Sequence, residues 1–188
     1  MPAWEGQQMT LTDLANIVLE DLGQKAIGNI DGEDFNARRM KRRIYNSIQT
    51  VAKKRNWICL QTDIQLTQAA GKGVCGEYKY IPPKNLINII ASTADWKRSG
   101  DYILSASPEL TIRCTILTFE PDQWSVNLQN AVIAQLKQDM TFAITGDAQL
   151  AGQVYQLAER AMKTAIMDDA LDEKCRRVQK RTSWFNGW

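Results

Sequence analysis

The chain has 188 residues, of which 44% are hydrophobic and 23% are charged, and its formal net charge is +2. These values are typical of a globular protein with one sizeable core, and so small a net charge limits attraction to polyanions to local basic clusters. The chain has no histidine, and its cysteines (Cys59, Cys75, Cys114 and Cys175) are widely spaced. A Ser-His-Asp or Cys-His triad is therefore excluded, and no zinc-binding spacing is present.

The first ten residues, MPAWEGQQMT, have neither the basic start nor the apolar run of a secretory signal. We therefore expect reduced cysteines in a protein assembled in a cytoplasm. No apolar stretch reaches the roughly 18 residues that a membrane-spanning helix needs. The expectation is a protein without a membrane segment, a structural metal or a cofactor.

The segment from Thr10 to Gly23 predicts a short amphipathic helix. Thr10 and Asp13 have the spacing of a capping box, and Gly23 is suited to a left-handed helix stop. Apolar residues at spacings of three and four predict its buried stripe, which consists of Leu11, Leu14, Val18 and Leu22.

A second helix is predicted from Phe35 to Trp57, where basic residues occur without a single acidic one. Its apolar side consists of Met40, Ile44, Ile48 and Val51. At about 100° per residue, the opposite side carries a basic face, which we define as Arg39, Arg42, Arg43, Lys53 and Lys54. This face can contact phosphates, an acidic protein surface or only water, and we favour contact with protein or water.

Residues 57–120 change to a period of two, which predicts a small antiparallel sheet of about five short strands. The Gly-rich segment 71–77 lies between two of these strands and opens no helix, so we interpret it as a hairpin loop. Cys75, near Lys72, is the candidate for a reactive thiol in this loop, although an incidental loop cysteine is the favoured interpretation.

The chain then returns to helical spacing. Pro121 is suited to a first helical turn, and the buried side that follows is predicted to consist of Leu128, Val132, Leu136 and Met140. A break is predicted at Gly146–Asp147, before a second helix with many small residues. Its predicted buried side consists of Leu150, Val154, Leu157, Ala161, Ala165 and Ile166.

The predicted fold class is α+β. Residues 1–56 and 121–175 form an antiparallel helical bundle of about four helices, and a small antiparallel β-sheet, residues 57–120, is inserted between its two halves. Residues 176–188 form a C-terminal extension that combines basic with large aromatic residues: Arg176, Arg177, Lys180, Arg181, Trp184, Phe185 and Trp188. Burial of each large aromatic is worth on the order of 2–3 kcal/mol, so we expect this extension to dock onto a second protein.

Four segments, taken in order, resemble the tail tubular protein A family, the head-to-tail adaptors of short-tailed bacteriophages. The first runs from Asp13 to Trp57 and holds both predicted N-terminal helices. The others are WICLQTDIQL, YKYIPPKNLINII and AITGDAQLAGQVYQLAERA. The resemblance extends over about residues 10 to 172, and its specific feature is the order of the segments.

The resemblance implies a structural protein and no enzyme. Adaptors of this family form a twelve-fold ring beneath the portal protein, hold the tail nozzle or tail fibre proteins, and let DNA pass through a channel without sequence-specific binding. It implies a place in the virion tail, below the portal vertex, after assembly in the host cytoplasm. The extension 176–188 would dock onto the portal, and the basic face would contact a neighbouring subunit, the portal or DNA.

The alternative function is a nucleic-acid-binding regulator that places the basic helix 35–57 in a groove. Against this alternative, we expect no Asn or Gln beside the arginines for base reading, and no helix-turn-helix turn precedes the helix. An enzyme with a carboxylate or cysteine site is a third hypothesis.

Overall fold

A computed structural model describes residues 8–182 of the chain, with side chains described as far as Lys174. In chain order the elements are α1 (Leu11–Asp21), α2 (Phe35–Lys54), β1 (Gln61–Gln65), β2 (Thr67–Lys72), β3 (Tyr78–Ile81), β4 (Leu86–Ser92), β5 (Lys97–Ser99), β6 (Tyr102–Ser105), β7 (Thr111–Ile116), α3 (Val126–Thr145) and α4 (Ala148–Thr182). The chain divides into a helical unit, Met1–Cys59 with Phe119–Trp188, and a β unit, Leu60–Thr118.

The fold class is α+β, with antiparallel strands that lie between α2 and α3 in the chain. The prediction of a single sheet is wrong. The β unit contains two sheets, with strand orders β1-β7-β4 and β2-β3-β6-β5. Strand β7 pairs on one side with β1 and on the other with β4, while β3 pairs with β6. Alternation of apolar residues indicates strands but not their partners, so it does not separate one sheet from two.

The core of the β unit is built from buried residues of both sheets and of the segments that join them: Leu66, Tyr80, Ile103, Leu110, Ile112 and Cys114. Leu66 lies between β1 and β2, and its amide donates a hydrogen bond of 2.9 Å to the carbonyl of Leu110. The hydroxyl of Tyr80 donates to the carbonyl of Ser107 at 2.7 Å. Buried polar groups in this core are therefore paired, as burial requires.

Helix α1 begins and ends as its sequence predicts. The Thr10 side chain accepts from the amide of Asp13, whose carboxylate accepts from the amide of Thr10, which completes the capping box. Gly23 has a φ of 68°, and the amides of Gly23 and Gln24 donate to carbonyls of the last turn. The buried side consists of Leu14, Ala15, Val18 and Leu19.

Helix α2 is capped by Asp34, whose carboxylate accepts from the amide of Ala37 at 2.9 Å. The predicted apolar side is confirmed, since Met40, Ile44, Ile48 and Val51 are all buried. Trp57 is fully buried beyond the end of the helix, and its indole nitrogen donates to the carbonyl of Val51 at 3.0 Å.

Helix α3 begins later than the sequence indicates. Pro121 lies in a short 3-10 turn, Pro121–Gln123, and the α-helix begins at Val126 after a Ser125 cap. Between these two elements Trp124 is buried and has an extended backbone, so the 3-10 turn does not continue into the α-helix. The predicted break is confirmed, because Gly146 ends α3 with a φ of 69° and the carboxylate of Asp147 accepts from the amides of Gln149 and Leu150 in the first turn of α4.

The predicted buried side of α4 is confirmed in part, at Val154 and Ala165. Leu157 is 61% exposed and Ala161 is exposed, whereas the side chains that face the core are Val154, Ala158, Met162, Ala165 and Asp169. Apolar residues lie on two sides of this helix, so periodicity alone does not choose between them. The backbone of α4 continues through residues 176–182 of the predicted extension.

Replacement of Leu136 by alanine is expected to lower the free energy of unfolding by about 2–5 kcal/mol, because the side chain is fully buried on α3. The matched control is Leu157→Ala on α4, which is expected to change it by less than about 0.5 kcal/mol. Urea unfolding followed by helical circular dichroism measures both. A large loss in the Leu157 variant would contradict the exposed position of that residue.

Candidate functional site

The first turns of α2 and the last turns of α3 enclose a cleft of about 460 Å³, which we call the arginine cleft. Four of its residues are arginines and three are apolar. Its lining consists of Phe35, Arg38, Arg39, Arg42 and Arg43 from α2, and Met140 and Ala143 from α3. Both helix ends are fixed locally, by the Asp34 cap on α2 and by Gly146 after α3.

Arg39 joins the two helices that form the cleft. Its Nη2 donates to the carbonyl of Ala143, and its guanidinium lies 4.8 Å from the centre of the Phe35 ring. Ala143 is within the last four residues of α3, whose carbonyls have no partner within the helix and favour a cation. Arg39 is therefore a structural cap for α3 as well as part of the cleft wall.

The other cleft arginines have a different environment. Arg38, Arg42 and Arg43 are exposed, and no ion pair within the described residues involves them. Guanidinium groups remain charged at all physiological pH values and present donors that match carboxylate or phosphate oxygens in pairs. Phe35 beside them is 68% exposed. The cleft therefore offers positive charge next to apolar surface.

The C-terminal end of the basic helix is tied to its own chain. Lys54 Nζ lies 3.4 Å from Gln135 Oε1 and 3.7 Å from a carboxylate oxygen of Glu159. Arg55 Nε donates to Asp169 at 2.6 Å, and its Nη2 to Glu173 at 3.3 Å. Lys53 is exposed. The predicted basic face thus separates into an N-terminal part that lines the cleft and a C-terminal part in which Lys54, beside Arg55, contacts its own chain.

Sequence reasoning missed the polar residues Ser47, Gln135 and Asp169, which are buried in the helical unit. Ser47 Oγ donates to Asp139 Oδ2 at 2.7 Å, and Gln135 Nε2 donates to Asp139 Oδ1 at 3.0 Å. Asp169 is only 1% exposed and is balanced by Arg55. Their positions in the sequence could have indicated this burial. Ser47 and Asp169 have the helical spacing of the buried sides of α2 and α4.

The expectation that no Asn or Gln lies beside the arginines is wrong. Asn46 and Gln49 are both exposed on α2. At about 100° per residue they lie within about 40° of Arg42 around the helix. The outer side of α2 therefore carries amide side chains between the cleft arginines and Lys53.

The basic groups near the thiol candidate Cys75 have other partners. Cys75 is exposed in the loop between β2 and β3, and Lys72 Nζ lies 4.9 Å from the centre of the Tyr78 ring. Glu77 in the same loop pairs with Lys97 at 2.7 Å. Cys114 is buried in the β unit, and this burial raises the pKa of its thiol.

In the part of the chain that the structure describes, no group of three or more Cys, Asp or Glu residues is arranged to hold a metal ion. None of the described helices is both long enough and apolar enough to span a bilayer. The side chains of Arg176, Arg177, Lys180 and Arg181 lie outside the described residues, as do Trp184, Phe185 and Trp188 altogether.

Comparison of the sequence with protein-family models gives no match. A comparison with curated proteins gives no match either.

Replacement of Arg55 by alanine is expected to lower the free energy of unfolding by about 3–5 kcal/mol, because it leaves the buried carboxylate of Asp169 without its counter-charge. The control is Lys54→Ala, which removes a partly exposed pair and is expected to cost less than about 1 kcal/mol. Urea unfolding of both variants is the measurement. Equal effects would contradict the assignment of Arg55 as the essential brace.

Proposed function

We propose that this chain is a structural ring subunit, a head-to-tail adaptor that joins a portal to a tail nozzle and leaves a channel for genome passage. The order of sequence segments that resemble the tail tubular protein A family supports this proposal. In this proposal the chain has no catalytic role and needs no cofactor, and it functions in the virion tail.

The observation that carries the proposal is the exposed apolar surface of the helical unit. Large apolar side chains that are more than half exposed occur on α2, α3 and α4: Phe35, Val126, Phe142, Tyr155, Leu157, Met167 and Leu171. Single exposed apolar residues are normal on any protein, but a helix with apolar residues on two sides is typical of one that is covered on both. One side of α4 packs within the unit. In this proposal another molecule covers the second, exposed apolar side.

The length of α4 supports a docking role for the C-terminal residues. Asp172 of α4 accepts a hydrogen bond of 3.4 Å from Asn127 in the first turn of α3. The ten residues from there to Thr182 carry the backbone about 15 Å further, at 1.5 Å per residue. The backbone of residues 176–182 therefore extends past the start of α3, and in this proposal it continues towards the portal.

We expect the purified chain to form ring-sized oligomers, twelve-fold in our proposal, when its portal is present, and we expect deletion of residues 176–188 to abolish portal association. Mass photometry with and without the portal measures both. The control is Val74→Ser, an exposed loop substitution in the β unit that is expected to leave assembly unchanged. A chain that stays monomeric beside its portal would refute the adaptor function.

A specific observation favours the alternative, a nucleic-acid-binding regulator. Arg38, Arg42 and Arg43 have no ion-pair partner within the described residues, and Asn46 and Gln49 follow them on the same side of α2. Asparagine and glutamine read adenine, and arginine reads guanine or contacts phosphates. This arrangement is compatible with groove binding.

If the chain is an adaptor, selection from a pool of random DNA duplexes is expected to yield no consensus sequence, because a channel contacts DNA without reading it. Filter binding across a salt series accompanies the selection. For a regulator, the double variant Arg42→Ala/Arg43→Ala would reduce the magnitude of the salt slope by about 2, whereas Arg113→Ala, which removes an exposed pair with Asp63, serves as the control. A reproducible consensus would support the regulator instead.

A further inference from the structure

The arginine cleft needs an occupant that satisfies both charge and apolar surface. Arg38 and Arg42 are one helical turn apart, which places their Cβ atoms about 5–6 Å from each other. Phe35, Met140 and Ala143 line the same cleft. A phosphate backbone would pair with the arginines but would leave the apolar lining in contact with water. A protein surface with carboxylates and apolar side chains would cover both.

Such a surface exists on α4 of the same chain. Met167 and Leu171 are 65% and 56% exposed, and Asp168 and Asp172 beside them are exposed. We call these four residues the acidic stripe. Asp168 and Asp172 are also one helical turn apart, so their spacing matches that of Arg38 and Arg42. No ion pair within the described residues involves Asp168.

The cleft and the acidic stripe cannot meet within one molecule. The cleft lies at the C-terminal end of α3, at Met140 and Ala143. The stripe lies beside the N-terminal end of α3, where Asp172 contacts Asn127. Along α3 the backbone rises about 24 Å from Asn127 to Ala143, at 1.5 Å per residue. Complementary surfaces at opposite ends of one unit cannot pair with each other, whereas a head-to-tail contact between two copies pairs them.

We propose that the arginine cleft of one copy receives the acidic stripe of a second copy. Arg38 and Arg42 pair with Asp168 and Asp172, and Met167 and Leu171 cover the apolar lining beside Phe35. This inference rests on the proposed ring function and names the contact between its subunits. Carboxylate–guanidinium pairs that become desolvated in an interface fix register and slow dissociation.

The test is exchange of charge between the two surfaces of the full chain. The cleft variant is Arg38→Glu/Arg42→Glu, and the stripe variant is Asp168→Arg/Asp172→Arg. Each alone is expected to weaken self-association at least about tenfold, because like charges then face each other. We expect two samples to self-associate with a dissociation constant within about threefold of the wild-type value. They are an equimolar mixture of the two variants and the chain that carries all four substitutions. Sedimentation velocity over a concentration series is the measurement.

The mixture also controls for folding, because a misfolded variant would not restore association. The inference would be overturned by a wild-type chain that does not self-associate, by variants that associate like the wild type, or by a mixture that remains dissociated. Loss of duplex binding in the cleft variant with unchanged self-association would overturn it as well and would identify phosphate as the ligand. Ring formation with the portal is measured separately, so the adaptor function can stand when this contact fails.

Discussion

The packing of α2 against α3 is the constraint on which the rest of the helical unit depends. The two helices contribute buried apolar residues such as Ile44 and Leu136, and they are also held by polar pairs. Ser47 and Gln135 satisfy the two oxygens of Asp139, and Arg39 satisfies a carbonyl at the end of α3. Because buried polar groups cost free energy unless they are paired, this arrangement is favourable only in one register. That register places four arginines around a single cleft.

The basic helix therefore has two kinds of charge. Arg55 compensates a buried carboxylate on α4, and its loss would leave that charge without a partner in a poorly solvated position. Arg42 and Arg43 are exposed, and neither forms an ion pair within the described residues. Sequence spacing groups Arg42, Arg43 and Lys54 on one side of a helix. Only the position of the neighbouring helices decides that Lys54 contacts Gln135 and Glu159, while Arg42 and Arg43 remain available to a partner.

Much of the local structure was predictable because it depends on residues close in sequence. Interactions among neighbouring residues determine the Thr10–Asp13 capping box, the Gly23 stop and the break at Gly146–Asp147. Strand pairing is not local, so the two sheets were missed. The buried side of α4 was predicted only in part: Val154 and Ala165 are buried as predicted, but Leu157 and Ala161 have equally plausible spacings and are exposed. The cleft itself required the end of α3 to meet the start of α2, which no pattern within either helix indicates.

The two-sided character of α4 connects the fold to its proposed use. A helix that buries Val154 and Met162 within its own unit has its remaining apolar side chains, such as Leu171, fixed on the outside. Alternation of these side chains with Asp168 and Asp172 keeps the separate chain hydrated, since the carboxylates hold water until a cationic surface replaces it. A continuous apolar side would instead favour indiscriminate aggregation. Combining carboxylates with apolar residues therefore restricts the contact to a partner that offers paired cations beside an apolar cleft, and the far end of the same helical unit has that surface.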